Sequence, residues 1–409
     1  MLQWERIHPY NAVHALRIDG SLDQDRLARA WEQTLAGIIP QWRAAGFPYF
    51  AFDSSPPPPD LVPPERNLDD FVTEQLNRPF APADCPFRAF VHAEDATHVI
   101  GIAYRHCIGD ASTARAVLRH WLLRSRGEDP TATPSPGDNG HPRALPRWRS
   151  ALAPILGIAR FPVWALRVRR CRRARRRSEA DQSLIYRHAE APDGLIDALR
   201  DSARRRGVKV NDLFLAAAAQ ACQQFGPMPP MPRRPDMCLG TIVDLRGRTA
   251  QAAGRTPESP GIALGFYTTV CAMDAIDSTE SLIRQIAIQS ARQRRRAPNS
   301  NSLLLRVALF AGRIRSTRML KKFYRRRFPT TAGITNVLVN DERLLALQPG
   351  VIRAYIRGAC TGPITAVAIS PTTLGSSLAI GLAARASMLD AARTEQLLRA
   401  FMDRLSALA

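Results

Sequence analysis

The stretch that decides the fold is THVIGIAYRHCIGDASTARAVLRHWLLRS, residues 97–125. Its first ten residues, 97–106, alternate in hydrophobicity well enough to predict a β-strand. Residues 111–125 repeat apolar side chains at the spacing of an amphipathic helix. His106 and Asp110 lie between the two elements, where a rigid strand end holds a side chain and a turn exposes it. That position suits a general base.

The His106–Asp110 spacing has two interpretations. In one, His106 is a base, and Asp110 locks the turn by pairing with a distant arginine. In the other, His106 only caps the strand and is satisfied by backbone groups. Chance produces such a spacing readily in a chain with 8 histidines, so the spacing alone leaves both open. We interpret the remaining histidines as surface or satisfied core residues: His8, His14, His92, His98, His120, His141 and His188.

Composition indicates a globular protein with 45% hydrophobic and 23% charged residues. The length of 409 residues suits two domains of about 200 residues each. Seven cysteines form no Cys-x-x-Cys pair and no Cys/His cluster, which argues against a disulfide framework or zinc site. Alternation places Cys107 in the core, facing away from His106. Without a signal-peptide pattern or an apolar run of ~18 residues, we expect a cytoplasmic protein.

The pattern of elements predicts an α+β protein in two halves joined near residues 130–180. Further predicted strands are Val13–Ile18, Phe87–His92, Ser183–His188, Met237–Asp244, 332–340, 351–357, 363–370 and 377–384. Further predicted helices are 22–38, 68–76, 195–205, 208–225 with Asn211 as its cap, 280–325 and 389–408. The proline-rich residues 53–66 and residues 127–146 are predicted loops.

The charge is strongly positive: 57 Lys+Arg against 36 Asp+Glu give +21. Residues 148–177 and 302–328 each join an apolar stretch to an arginine cluster, a design typical of helices that bind anionic lipid or an acidic carrier protein. The alternatives are ordinary helices with solvated faces and the arginine usage of a GC-rich genome. Nucleic acid is not favoured, because aromatic residues are few and no nucleic-acid-binding motif is present.

Several short motifs occur in the order of one family. They are residues 8–35, Val210–Phe214, Val243–Arg246, Gly265–Thr269, Ile334–Val337 and 378–390. Together with His106–Asp110, they resemble the superfamily of condensation domains and chloramphenicol acetyltransferases, whose motif is His-His-x-x-x-Asp-Gly. The first histidine of that motif is Arg105 here and its glycine is Ala111, with Gly109 on the other side of the aspartate.

The resemblance implies two chloramphenicol-acetyltransferase-like αβ sandwich domains that form a pseudo-dimer with a channel between them. The expected domains are residues 1–178, which carry the motif, and residues 179–409. The expected activity is transfer of an acyl group from a thioester to a hydroxyl or amine, without a covalent intermediate. The alternative is a catalytically degenerate binding or scaffold protein at a membrane surface. The expected location is the cytoplasm, either free or peripheral to the inner membrane.

The resemblance also implies roles for single residues. His106 is the general base, with its ring facing the channel, and Asp110 forms a structural salt bridge with Arg246. The polar residues Thr335, Asn336 and Thr373 are candidates for the oxyanion site or the channel wall. No metal or bound cofactor is required, since acyl-CoA or the phosphopantetheine of an acyl-carrier protein enters as a substrate.

Overall fold

The structure is a computed structural model that describes residues 2–20, 23–44, 57–81, 84–94, 96–130, 166–174, 181–228, 233–244, 261–262, 264–272, 278–295, 316, 319, 330–348, 350–362 and 365–409. The described strands are β1 (Asn11–Asp19), β2 (Asp60–Val62), β3 (Phe87–Ala93), β4 (Thr97–Arg105), β5 (Leu184–Glu190), β6 (Met237–Asp244), β7 (Leu264–Cys271), β8 (Thr330–Ile334), β9 (Val337–Val339), β10 (Ile352–Gly358), β11 (Thr365–Leu374) and β12 (Ser377–Arg385). The described helices are α1 (Leu2–Glu5), α2 (Gln24–Ala44), α3 (Leu68–Asn77), α4 (Ala111–Ser125), α5 (Leu195–Arg205), α6 (Val210–Phe225), α7 (Thr279–Arg295), α8 (Glu342–Ala346) and α9 (Ala391–Leu408).

The first sheet has five strands in the order β10-β1-β4-β3-β2. β1 and β4 are antiparallel, with Asn11 opposite Arg105 at the end of β4. β10 comes from far along the chain and pairs with the other edge of β1, so that Arg357 lies opposite His14. β4, which leads to the His106 turn, is hydrogen-bonded to β1 on one side and to β3 on the other. These two neighbours hold the end of β4 rigidly.

The second sheet has the order β5-β12-β11-β8-β6-β7, and β9 also pairs with β11. The predicted strand over 332–340 is two short strands, β8 and β9, which both run parallel to β11. Between them, the Thr335 amide donates to the Ile369 carbonyl at 2.9 Å. Thr335 and Asn336 therefore occupy the link between β8 and β9.

Both faces of the first sheet are buried. On one face, Ile102 packs with Trp31 of α2 and Trp121 of α4 in a single core cluster. On the other face, Val13 shares a cluster with Tyr186 of the second sheet. The two sheets therefore meet through a common apolar core. Another cluster, which includes α6 and α9, covers the second sheet.

β10 and β12 approach each other closely at Gly381. A Cβ atom at this position would lie 1.9 Å from the carbonyl oxygen of Arg357. The hydroxyl of Tyr186 donates to the same carbonyl at 3.1 Å. Only glycine fits here, and these contacts fix the second sheet against the first at Arg357.

The two sheets with their helices confirm the predicted α+β fold. β10 follows residue 178 in the chain yet belongs to the first sheet. The expected boundary at residue 178 lies outside the described residues, so the division into 1–178 and 179–409 stays a prediction. Of the predicted helix over 280–325, the described residues are α7 and the isolated positions 316 and 319.

Two local predictions are wrong. The proline-rich residues 53–66 contain β2, which pairs in parallel with β3 because its backbone is free to join the sheet edge. Asn211 is not the cap of α6, since the helix begins one residue earlier, at Val210. Its N-cap is Lys209, whose amide donates to the Asp212 carboxylate at 3.1 Å.

Most of the two basic segments, 148–177 and 302–328, lies outside the described residues. The helix predicted over the first segment is wrong from residue 170, because Cys171 forms a β-bridge with Asp236. Cys171 is buried in a small cluster with Val168 and Cys238, which anchors the chain there. In the part of the chain that the structure describes, no helix is both long and apolar enough to cross a membrane.

Candidate active site

His106 lies in the turn that follows β4, one residue beyond the end of the strand. Its amide donates to the Tyr10 carbonyl at 2.9 Å, and the Ile108 amide closes the turn on the Arg105 carbonyl at 3.1 Å. Gly109 forms a β-bridge with Gly261, so the turn also contacts the second half of the chain. His106 is half-buried. The backbone thus fixes the position of this imidazole on both sides.

The imidazole of His106 is oriented by one hydrogen bond and two aromatic rings. Nδ1 lies 2.9 Å from the carbonyl oxygen of Gly109. A carbonyl oxygen only accepts, so Nδ1 carries the proton and Nε2 holds the lone pair. The ring stacks on Tyr10 at a centroid distance of 5.4 Å and meets the edge of Tyr104 at 5.8 Å.

The pKa of His106 lies below the ordinary value for histidine. Burial is the largest cause, because it disfavours the imidazolium cation. The Gly109 carbonyl and the Asp110 carboxylate act in the opposite direction, while the charge of Arg357 lowers the pKa further. The ring is therefore neutral at pH 7 and able to accept a proton at Nε2.

Asp110 caps α4 and is almost completely buried. Its carboxylate accepts a hydrogen bond from the Ser112 amide at 3.0 Å. The neighbouring Gly109 has no room for a side chain, since a Cβ would lie 2.5 Å from Thr113. Arg246 lies outside the described residues, so its salt bridge with Asp110 stays a prediction.

Arg105, which replaces the first histidine of the family motif, forms a bidentate ion pair with Glu5 of α1. Nε lies 2.9 and 3.0 Å from the two carboxylate oxygens, and Nη2 lies 2.7 Å from one of them. Next to Glu5, Trp4 contacts the edge of Tyr10 at 5.2 Å. Arg105 therefore attaches the N-terminal segment to the strand that leads to His106.

Cys107 packs partly buried against the first core cluster, where the sequence placed it. The strand alternation that we used does not apply, because Cys107 lies in the turn beyond β4. Burial and, to a smaller extent, the Glu5 carboxylate raise the pKa of its thiol to about 12. The thiol is therefore protonated at neutral pH and a poor nucleophile.

The three predicted oxyanion or channel residues have different surroundings. Thr335 accepts two hydrogen bonds from Arg357, one on its carbonyl and one on its hydroxyl oxygen, both at 3.1 Å. Asn336 follows it and is half-buried. Thr373 is buried on β11, next to Thr372, which faces Arg357. Successive strand residues point to opposite faces, so Thr373 points away from that arginine.

Sequence reasoning missed Arg357, which lies opposite His14 across β10 and β1, while His14 is a satisfied core histidine as predicted. Both are buried, and Nδ1 of His14 lies 2.9 Å from the hydroxyl of Tyr355. Burial holds the pKa of His14 well below its ordinary value, and the charge of Arg357 acts in the same direction. The available signal was an arginine, Arg357, directly after the apolar run 354–356.

Three other described histidines have a partner nearby, as the sequence predicted, whereas Nε2 of His8 is buried without a hydrogen-bond partner in the described part of the chain. Nε2 of His92 lies 2.7 Å from the Arg66 carbonyl, and Nδ1 of His98 lies 3.1 Å from the Gly20 carbonyl. His188 contacts the carboxylate of Asp69. A cavity of about 250 Å³ lies beside β2 and α3, and no residue of the His106 turn lines it.

Proteins similar to this chain are found by comparing its structure with solved structures. No protein-family model and no curated protein matches the sequence. The chain is similar to the trichothecene 15-O-acetyltransferase of Fusarium sporotrichioides, with 13% identity and a TM-score of 0.66 over 98% of this chain and 91% of that one.

Condensation domains are similar over the same extent. For the first condensation domain of the calcium-dependent antibiotic synthetase, solved with a substrate analogue, identity is 15% and the TM-score is 0.61, over 99% of this chain and 92% of that one. For the condensation domain of monacolin K polyketide synthase, the values are 13% and 0.60, over 99% and 94%. The chain therefore has the two-lobed fold that condensation domains share with chloramphenicol-acetyltransferase-like acetyltransferases.

Proposed function

We propose that the protein is an acyltransferase that moves an acyl group from a thioester to a hydroxyl or amine, with His106 as general base. The observation that carries the proposal is the orientation of the His106 imidazole, and its lowered pKa favours the neutral ring. Its Nδ1 proton is bound to Gly109, which leaves the Nε2 lone pair for a substrate proton. A histidine in this state, at the end of a fixed strand, is suited to proton transfer.

The proposed reaction is a direct transfer. Nε2 of His106 accepts the proton of the acceptor hydroxyl or amine as that atom attacks the thioester carbonyl carbon. The tetrahedral intermediate then collapses, the carbon–sulfur bond breaks, and the imidazolium returns the proton to the leaving thiolate. The Gly109 carbonyl and the Asp110 carboxylate favour the transient imidazolium. Such a base contributes about two to four orders of magnitude in rate.

Thr335 is the best supported of the oxyanion candidates. Its hydroxyl oxygen accepts a hydrogen bond from the Arg357 guanidinium, which leaves the hydroxyl proton available for donation. A hydrogen bond from a cation polarises the hydroxyl and makes it a stronger donor. One oxyanion donor is worth about 10²- to 10³-fold in rate. Asn336 is the second candidate in the same link, and Thr373 remains a candidate for the channel wall.

The proposed donor is acyl-CoA or the phosphopantetheine arm of an acyl-carrier protein. Both are anionic, and a chain with a net charge of +21 attracts them. The basic segments are proposed docking sites for an acidic carrier protein or an anionic membrane surface. All seven cysteines are free, which suits the proposed cytoplasmic location.

The test is product analysis by mass spectrometry. Purified protein is incubated with acyl-CoA and acyl-carrier-protein thioesters of several chain lengths and with a panel of alcohols and amines. The proposal expects acylated acceptor and free thiol in equal amounts, and none with heat-denatured protein. Stable binding of thioesters without turnover would favour the degenerate binding protein instead.

A further inference from the structure

Arg357 is a buried cation between the two sheets, with only 4% of its surface exposed. It projects from β10, but its hydrogen bonds go to the second sheet and its β8–β9 link. Nη1 donates to the Thr335 carbonyl at 3.1 Å and approaches the Thr372 hydroxyl at 3.4 Å, while Nη2 donates to the Thr335 hydroxyl at 3.1 Å. All three acceptors are neutral.

Within the described ranges, no carboxylate forms an ion pair with Arg357. The groups that favour its charged form there are the hydroxyls of Tyr355, Tyr104 and Tyr186. Buried charges in folded proteins are normally paired, because an isolated one is costly to remove from water. Burial lowers the pKa of Arg357, and a carboxylate that binds to the guanidinium would favour its charged form.

The free donors of Arg357 have the geometry of a carboxylate site. A guanidinium has five N–H donors, and three of them are directed at Thr335 and Thr372. Nε is buried and has no partner in the described part of the protein. Its N–H and the remaining Nη2 proton lie side by side, as the fork that binds both oxygens of one carboxylate.

Two aromatic side chains link this fork to the candidate base. Arg357 is opposite His14, whose ring contacts Tyr104 at 5.7 Å, and Tyr104 in turn contacts the His106 ring at 5.8 Å. The charge of Arg357 also helps to lower the pKa of His106. His106 and Thr335 are both half-buried, so this region of the interface is not sealed from solvent.

We infer that Arg357 binds a carboxylate of the acyl acceptor, so that the acceptor is an amino acid or hydroxy acid whose nucleophile reaches His106. The inference rests on the proposed acyl transfer and names its acceptor class. The phosphates of the donor are a poor alternative ligand. They are at the far end of the pantetheine arm when its thioester is at His106.

The experiment measures binding and transfer on the full-length protein. A panel of amino acids and hydroxy acids, each paired with its own primary amide, is titrated by saturation-transfer NMR. The same pairs then compete as acceptors for an acyl-CoA. The variants are Arg357→Gln, Arg357→Lys and the control Arg353→Gln, which removes an arginine of the same strand with a side chain 57% exposed.

The wild type should prefer the acid over its amide by about 10- to 100-fold, as expected for hydrogen bonds to a charged group. Arg357→Gln should abolish this preference. Arg357→Lys should retain part of it, because lysine keeps the positive charge but lacks the two parallel N–H donors. The control Arg353→Gln should leave the preference unchanged. Equal binding of acids and amides by the wild type would overturn the inference without any variant. A preference that survives in Arg357→Gln would overturn it as well.

The two proposals fail separately. If acids bind selectively through Arg357 but no thioester is consumed with any acceptor, acyl transfer is wrong and the carboxylate site stands. If transfer proceeds equally well to acids and amides, acyl transfer stands and the carboxylate site is wrong.

Discussion

The Arg105 guanidinium and the Glu5 carboxylate form a bidentate ion pair that ties α1 to the last residue of β4. Both side chains are largely buried, so Glu5→Gln should lower the free energy of unfolding by about 1–3 kcal/mol. Glu128→Gln is the matched control, because its pair with Arg126 is exposed. That change should cost less than about 1 kcal/mol. Urea unfolding measures both, and equal costs would show that the Glu5 pair does not anchor the segment.

Activity should fall on the acid side of the pH profile, below the ordinary histidine pKa of about 6.5. The base works only when neutral, and burial lowers its pKa, so protonation requires a lower pH than for a free histidine. The measurement is kcat/KM from pH 4.5 to 8, with circular dichroism to verify that the protein stays folded. An acid limb centred at or above 6.5 would contradict the neutral, desolvated imidazole.

Asp110 has two separable contributions to stability, its helix cap and its predicted pair with Arg246. Asp110→Ala removes both, at about 0.5–2 kcal/mol for the cap and about 3–5 kcal/mol for a broken buried pair. Asp110→Asn keeps the oxygen that accepts from Ser112 and loses the charge. We expect the asparagine variant to lose most of the stability that alanine loses. If its thermal unfolding matches the wild type, the pairing with Arg246 is wrong.

Gly381→Ala should separate the two sheets where they are closest. The new Cβ would collide with the Arg357 carbonyl, which is backbone and cannot rotate away. We expect a loss of about 1–3 kcal/mol or more in unfolding free energy. Gly333→Ala is the control, because its Cβ would lie 3.3 Å from the Thr365 methyl and 4.0 Å from the Val367 carbonyl oxygen, with no collision. Equal melting temperatures for the two variants would mean that the sheets are not fixed at Arg357.

The sequence predicted the elements around His106 well because their signals are local. The alternation of β4 and the helical spacing of α4 each depend on neighbours within a few residues, so their limits are confirmed almost to the residue. The N-cap of α4 was also predictable, because Asp110 directly precedes the first residue of the helix. The break between β8 and β9 was not predicted, since it depends on how both strands pair with β11.

The missed residues depend on contacts between distant parts of the chain. Arg357 meets His14 only because β10 crosses to the first sheet, and no local pattern indicates that crossing. Tyr10 stacks on His106 because β1 and β4 are neighbours. In the sequence, Arg105 is only a departure from the family motif. The structure shows that Arg105 forms an ion pair with Glu5.

The most direct test of the account replaces His106 itself. His106→Ala removes the proposed base, while His106→Asn keeps a side-chain N–H that can donate to the Gly109 carbonyl but has no Nε2. Transfer from an acyl thioester should fall by about 10²- to 10⁴-fold in both variants. Their melting temperatures should stay near that of the wild type, because the ring is half-buried. A folded His106→Ala protein that transfers acyl groups within tenfold of the wild-type rate would contradict the assignment of His106 as the base.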